Sequence, residues 1–196
     1  MSAQRPRTRL TPEARRTQLL DTAKTMIVEH GLQSFTMESL ARTAAVSSPL
    51  VYNYFESRQV LLKALLSLAQ QRFAQRLKLE ISAAKDYEAI VRIFIASNFD
   101  HYAPGNILPI LQSQPEIADA ANKFRHADGQ QAAKFLVQST ANTYKISKSQ
   151  ALLLVSMSSG ASIAAAELNA GKPGNRNKAI DTALAYVLAG MRHIAG

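Results

Sequence analysis

Apolar residues recur along this chain at intervals of three and four and rarely in strict alternation, so the pattern predicts helices throughout. Thr11-Pro12-Glu13 is a helix start, with a cap, a proline suited to the first turn and an acid. Leu19, Leu20, Ala23, Met26 and Ile27 make the apolar face of that helix. Gly31 ends it, and Leu32 is placed to pack back. Thr36 then caps a short helix whose Met37, Leu40, Ala41 and Ala44 fall at i, i+3, i+4 and i+7. Glu38 lies in its first turn, where the helix dipole favours an acid. Ala45-Val46-Ser47 interrupts the period, and Ser48-Pro49 restarts it as cap and first-turn proline. Val51 and Phe55 face inward at i, i+4, which leaves Ser48, Leu50, Tyr52, Asn53 and Tyr54 facing elsewhere. Two short helices at a tight turn, the second with exposed Ser, Asn and Tyr, are the helix-turn-helix layout, whose second helix enters the DNA major groove.

Beyond this unit, Ser57 caps a long helix over residues 58–84, with Leu61, Leu65, Leu68, Phe73 and Leu77 as apolar positions. It spans about 40 Å. Further helices are predicted from Asp86 to near Tyr102, over a short apolar piece at 106–112, from Pro115 to Tyr144 with a kink near Asp128-Gly129, and from Ser147 to about Ala170. Gly171-Lys172-Pro173-Gly174 breaks the chain before a last helix ending near Ile194. Residues 149–166 hold no charged side chain, yet the run is short and serine-rich for a membrane span, which needs about 20 apolar residues. Ser156, Gly160 and Ala164 are small residues spaced by four, with Ile163 beside them. The final helix offers Leu184, Val187, Leu188 and Met191 as a second apolar face; two such helices from each of two chains would form a four-helix homodimer interface, and a monomeric core is the other use of these faces.

Composition narrows the classes. The 196 residues are 47% hydrophobic and 19% charged, which is globular. There is no cysteine, so disulfides and thiolate metal sites are excluded and a reducing cytoplasm fits. The net charge of +9 favours polyanionic partners, and Arg5, Arg7 and Arg9 make a basic arm of residues 1–10. The four histidines, His30, His101, His126 and His193, do not stand at metal-ligand spacing, and no nucleophile motif is present. No enzyme, cofactor or metal is expected.

Gly31, Phe35-Thr36, Leu40-Ala41, Ala44-Ala45-Val46-Ser47, Tyr52, Phe55 and Ser57-Arg58 resemble the DNA-binding signature of the TetR family of bacterial transcriptional regulators. At Ala45 the family usually has Gly, and Ala suits the turn if φ stays negative there. Where the family usually has Lys, Arg58 keeps the charge. The resemblance implies an all-α fold in which residues 1–57 form a three-helix DNA-binding domain and residues 58–196 a helical effector-binding and dimerisation domain. The expected partners are double-stranded DNA, a second copy of the chain and a small-molecule effector, with no membrane. The expected function is a repressor that a homodimer exerts on a palindromic operator and an effector releases. A regulator without a small ligand, controlled by a protein partner or acting as an activator, is the alternative.

The residues assigned to DNA are Thr36, Ser47, Ser48, Pro49, Leu50, Tyr52, Asn53, Tyr54 and Arg58. Asn53 and Ser48 can hydrogen-bond base edges or phosphates, Leu50 can meet a thymine methyl, and the tyrosines can meet sugar or phosphate. Phe94, Asn98, His101, Tyr102, Leu111, Gln112, Phe124 and Gln130 are the candidates for an effector pocket, polar tips among apolar groups.

Overall fold

The computed structural model describes residues 10–195, apart from the side chains of 124–130, 173 and 195. The arginine arm lies outside the described residues. Among the described residues nine α-helices follow one another: α1 (Pro12–His30), α2 (Met37–Thr43), α3 (Ser48–Tyr54), α4 (Arg58–Ala83), α5 (Tyr87–His101), α6 (Ile107–Gln112), α7 (Ala118–Tyr144), α8 (Lys148–Leu168) and α9 (Arg176–Ala195). Short 3-10 turns at Leu32–Ser34, Pro115–Ile117 and Pro173–Asn175 connect some of them. Among the described residues there is no strand. The all-α expectation holds, and α7 continues as one helix through Asp128-Gly129.

The chain forms two compact units that divide inside α4, between Leu65 and Leu66. In the first unit, helix starts follow local chemistry. The Thr11 hydroxyl accepts the Ala14 N–H at 3.2 Å, and Pro12 and Glu13 follow it. Gly31 ends α1 at φ +80°, where a side chain would be strained, and its N–H donates to the Ile27 carbonyl at 3.0 Å. Thr36 and Ser39 cap α2 reciprocally: the Thr36 hydroxyl accepts the Ser39 N–H, and the Ser39 hydroxyl accepts the Thr36 N–H, both at 3.0 Å. Leu19, Leu20, Ala23, Ile27, Leu40, Ala41, Val51, Phe55, Leu61 and Leu62 are buried and supply the unit's interior. Arg16 lies over the Phe55 ring, 5.1 Å from its centroid.

Two expectations for the turn need correction. Ala45 sits at φ +53°, in the left-handed region, and not at negative φ. The α2–α3 turn demands that conformation of whichever residue stands there, and an L side chain adopts it only with strain. The cap of α3 is Ser47, one residue earlier than expected, with Ser48 and Pro49 already in the first turn. No side-chain hydrogen bond caps this helix.

The second unit is a helical bundle. Its core joins Val91, Ile95 and Phe99 of α5, Leu136 of α7, Val155 and Ala166 of α8, and a long row from α9. The Tyr87 hydroxyl meets Thr140 Oγ1 at 2.8 Å and Met191 Sδ at 3.1 Å, and the Tyr87 ring stands edge-on to Tyr144. Burial raises the Tyr87 pKa, while the Thr140 hydrogen bond offsets part of that rise. Asp100 ties three elements together. Its Oδ2 accepts from Arg76 of α4 at 3.0 Å, and its Oδ1 is paired with Arg176 at the start of α9.

The row from α9 corrects the expected pairing face. Leu184, Val187, Leu188 and Met191 are buried in the unit's own core, so they are not a surface for a second chain. Each large apolar side chain so buried contributes about 1.5–3 kcal/mol, which a solvated monomer face would forgo. The outward side of α9 instead carries Ala185, Tyr186, Ala189 and Gly190. On α8, Ser156, Gly160, Ile163 and Ala164 do lie exposed. They join Leu153, Met157 and Leu168, which are 61%, 59% and 75% exposed, in one stripe. By length and composition alone α8 could cross a membrane. Its apolar residues are divided between an inner face, with Leu154 and Val155, and this outer stripe.

Candidate nucleic-acid interface and candidate cavity

Helix α3 has only seven residues, and packing decides which of them face outward. Val51 is fully buried and Phe55, its C-cap, is 1% exposed. These two anchors hold one side of the helix against the unit's interior. Ser47, Pro49, Tyr52 and Asn53 are exposed, and Ser48, Leu50 and Tyr54 are half-buried. The structure therefore brings the residues from Ser47 to Tyr54 that were assigned to DNA onto one short element and its cap.

Three of the side chains assigned to DNA, those of Tyr52, Thr36 and Arg58, are engaged within the protein. The Tyr52 hydroxyl donates to Glu38 Oε1 at 3.0 Å, from α3 to the first turn of α2. Glu38 is held below the usual carboxylate range, first by its own backbone N–H at the helix start and then by the Tyr52 hydroxyl. The same hydrogen bond raises the Tyr52 pKa. The Thr36 hydroxyl is committed to the α2 cap. Arg58 Nη2 donates to the Leu32 carbonyl at 3.2 Å, so this arginine also closes the end of α1 against the start of α4. In the sequence Glu38 stands out only by its place in the first turn of α2, where the helix dipole favours an acid. Its tie to Tyr52 spans fourteen residues and carries no local signal.

The second unit contains a cavity of about 650 Å³ walled by α4, α5, α7, α8 and α9. Phe73, Leu77, Phe94, Phe135, Val187 and Met191 give it a largely apolar lining, and Asn98 with Ser158, Ser159 and Ser162 gives a polar strip. A volume of this size suits a small organic ligand. Of the expected pocket residues, Phe94 and Asn98 are on the wall. His101, Tyr102, Leu111 and Gln112 are not. Leu111 is fully buried in α6, and Tyr102 donates its hydroxyl to Glu167 at 2.7 Å. That bond raises the Tyr102 pKa. His101 is half-buried at the end of α5, edge-on to Tyr102, and burial lowers its pKa. The side chains of Phe124 and Gln130 lie outside the described residues. Phe73 and the serines of α8 were not anticipated as lining. Periodicity marks them as inward or small but cannot say that helices part beside them.

Residues 19–65 match the family model for bacterial regulatory proteins of the tetR family. Over that stretch the chain is similar to the TetR family, and its remaining residues lie outside the match. Among curated proteins it is similar to the HTH-type transcriptional regulator BetI of Burkholderia ambifaria, with 34% identity over 89 residues. That match covers 45% of this chain and 46% of the relative, so it reaches less than half the length of the BetI protein. Among solved structures, a TetR-family transcriptional regulator from Streptomyces coelicolor superposes with a TM-score of 0.68 at 18% identity, over 93% of this chain and 96% of the other. FadR from Bacillus subtilis, solved in complex with stearoyl-CoA, gives 0.63 at 14% identity, over 86% and 97% of the two chains. At such identities these structures show a shared fold and nothing more.

Proposed function

We propose that this chain is a TetR-like transcriptional repressor that binds a palindromic operator as a homodimer and is released by a small molecule held in the cavity. The observation that carries the reading is α3, which presents Pro49, Tyr52 and Asn53 outward while Val51 and Phe55 are sunk in the core, within the stretch that matches the family's DNA-binding model. Asn53 supplies the bidentate amide suited to a base edge, and Ser47, Ser48 and Tyr54 supply hydroxyls for phosphates or bases. Thr36 acts by fixing the start of α2. Arg58, whose Nη2 is bonded to the Leu32 carbonyl, adds its positive charge beside the phosphates.

Pairing runs through the outer stripe of α8 and the outward side of α9. The stripe from Leu153 to Leu168 is apolar, continuous and exposed in the single chain, which supports a second copy as its cover. The two copies then present two α3 helices about 34 Å apart or a multiple of it. Residues of α4 belong to both units and include part of the cavity wall. A ligand that prefers the conformation with the wrong α3 spacing releases DNA, and by linkage DNA weakens that ligand. Such a regulator acts in the cytoplasm and catalyses no reaction.

Gel-shift titration against the chain's own upstream DNA tests the reading. The wild-type protein is expected to bind with steep salt dependence. Tyr52→Ala with Asn53→Ala is expected to abolish specific binding while the circular dichroism spectrum stays helical. Unchanged binding by that folded double variant would remove α3 from the interface.

A further inference from the structure

The cavity wall carries polar groups of two kinds, those spent within the protein and those left open. Asn98 Nδ2 donates to Ser162 Oγ at 2.6 Å, and Ser162 Oγ donates to the Ser159 carbonyl at 3.1 Å, a relay that fixes the Asn98 amide against α8. Ser97 Oγ donates to the Ile93 carbonyl at 2.9 Å. Asn98 Oδ1, Ser158 Oγ and Ser159 Oγ have no hydrogen-bond partner among the described residues, and all three residues line the cavity. None of these atoms is closed off. Among the described residues the one buried side-chain nitrogen or oxygen without a partner is Gln70 Oε1, and Gln70 is not on the wall.

Helical spacing groups the open atoms. Asn98 follows Ile95, Phe94 and Val91 by three, four and seven residues, and all of them line the cavity, so Asn98 belongs to the inward face of α5. Ser158 and Ser162 are four apart on α8 and share one face of it, and Asn98 is bonded to Ser162. The free acceptor of Asn98 and the free hydroxyl of Ser158 therefore stand about one helical turn apart, where α5 meets α8. The wall around them is apolar, with Phe73, Phe135 and Met191 among its large side chains. Among the described residues of the wall there is no carboxylate, and the one charged side chain is Lys78 of α4, which is exposed.

We propose that the cavity's ligand is an uncharged, mainly hydrocarbon molecule with one hydroxyl group, which donates to Asn98 Oδ1 and accepts from the Ser158 or Ser159 hydroxyl. An ammonium head would meet acceptors here but no counter-charge, and an unpaired charge is costly to bury. A carboxylate head is acceptor-only when ionised and would face another acceptor at Asn98. The exposed Lys78 would hold it only where solvent screens the pair. A hydroxyl is donor and acceptor at once, so it matches the open atoms and brings no charge into the apolar space. The proposal rests on the cavity being the effector site.

Four probes with the same chain separate these cases on the full-length protein: decanol, decyl methyl ether, decanoate and decyltrimethylammonium, each followed by calorimetric titration. Decanol is expected to bind about tenfold tighter than its methyl ether, which has the same body and no donor. Decanoate and the ammonium are expected to bind more weakly than decanol. Asn98→Leu leaves Ser162 its bond to the Ser159 carbonyl, and in it the decanol-to-ether ratio should fall to about one, through weaker decanol binding. Asn98→Ala serves if the leucine variant does not fold. Ser158→Ala with Ser159→Ala should weaken decanol and ether alike and keep their ratio, because both probes have an acceptor. Equal binding of decanol and ether to the wild type, tighter binding of either charged probe, a ratio that survives in a folded Asn98 variant, decanol binding untouched by the two alanines, or no binding by any probe overturns the proposal. The effector reading fails separately: decanol that binds with the expected preference yet leaves operator DNA bound would keep the hydroxyl site and remove its role in release.

Discussion

Tyr52 of α3 donates its hydroxyl to the Glu38 carboxylate of α2 at 3.0 Å, so an acid stands beside the residues proposed to read DNA. Two effects of Glu38 oppose each other. Its negative charge repels phosphates, while its oxygen fixes the Tyr52 side chain that faces them. Glu38→Gln keeps an acceptor and removes the charge, so operator affinity should rise a few-fold at low salt, and the gain should vanish at high salt. Glu38→Ala removes both and should not show that gain. The sign of the stability linkage is fixed by the lowered pKa. The contribution is present above the ordinary value of 4.5 and is lost as pH falls through the folded value. Filter-binding isotherms at two salt concentrations decide the affinity claim, and looser binding by Glu38→Gln at low salt would reject it.

Ala45 occupies the left-handed region at φ +53°, where a residue with a Cβ is strained by about 1–2 kcal/mol. Glycine there relieves the strain but adds freedom to the unfolded chain, which returns about 0.4–1 kcal/mol. Ala45→Gly should therefore stabilise the protein by about 0.5–1 kcal/mol, read as a higher urea midpoint at unchanged m-value. A lower midpoint would mean that the turn does not hold this conformation in solution.

The helix starts and the division of roles along the chain were legible because they depend on neighbours in sequence. Thr11, Thr36, Asp86 and Ser147 each act as the cap that their residue type and position suggest. The backbone angle at Ala45 was not legible, since it answers to the geometry of α2 against α3. Nor was the outer side of α9. That helix carries Leu184, Val187, Leu188 and Met191 on one face and Ala185, Tyr186 and Ala189 on the other, so period alone finds apolar residues both ways. Only the packing against α5 and α8 says which face is core. The cavity was half legible for a similar reason. Phe94 and Asn98 lie on its wall, but Tyr102, only a turn away, bonds to Glu167, and His101 stands edge-on to Tyr102.

The two faces can be separated by mutation. Met157 is 59% exposed in the α8 stripe, and Leu188 is 5% exposed in the core. Met157→Lys should leave each chain folded and convert a dimer to a monomer in analytical ultracentrifugation. Leu188→Ala should instead cost about 2–5 kcal/mol of folding stability through the cavity it leaves. A Met157→Lys protein that remains dimeric, with operator affinity intact, would exclude the stripe as the pairing surface.

His101 offers a pH test of the second unit. Burial lowers its pKa from the ordinary 6.5, so between the folded value and 6.5 the unfolded chain binds more protons than the folded one. Stability from this residue is intact above 6.5 and declines as pH falls through that window. Thermal unfolding at about pH 7.5 and about pH 5 should show a drop that is smaller in His101→Gln than in the wild type. An equal drop in both proteins would show that other groups set the acid sensitivity.

The charge distribution makes the arginine arm the subject of a last test. Residues 10–65 carry six Lys and Arg against five Asp and Glu, so the described part of the unit proposed to bind DNA is nearly neutral. Arg5, Arg7 and Arg9 add three cations with no acid among them. Each phosphate neutralised contributes about 0.9 to the slope of log affinity against log salt. If the arm follows the DNA, replacing the three arginines with serine should lower that slope by up to about 2.7 and weaken binding most at low salt. Discrimination between operator and unrelated DNA should narrow if the arginines read a minor groove, and stay constant if they touch phosphates alone. An unchanged slope would assign the whole electrostatic contribution to the globular unit, despite its near balance of charge.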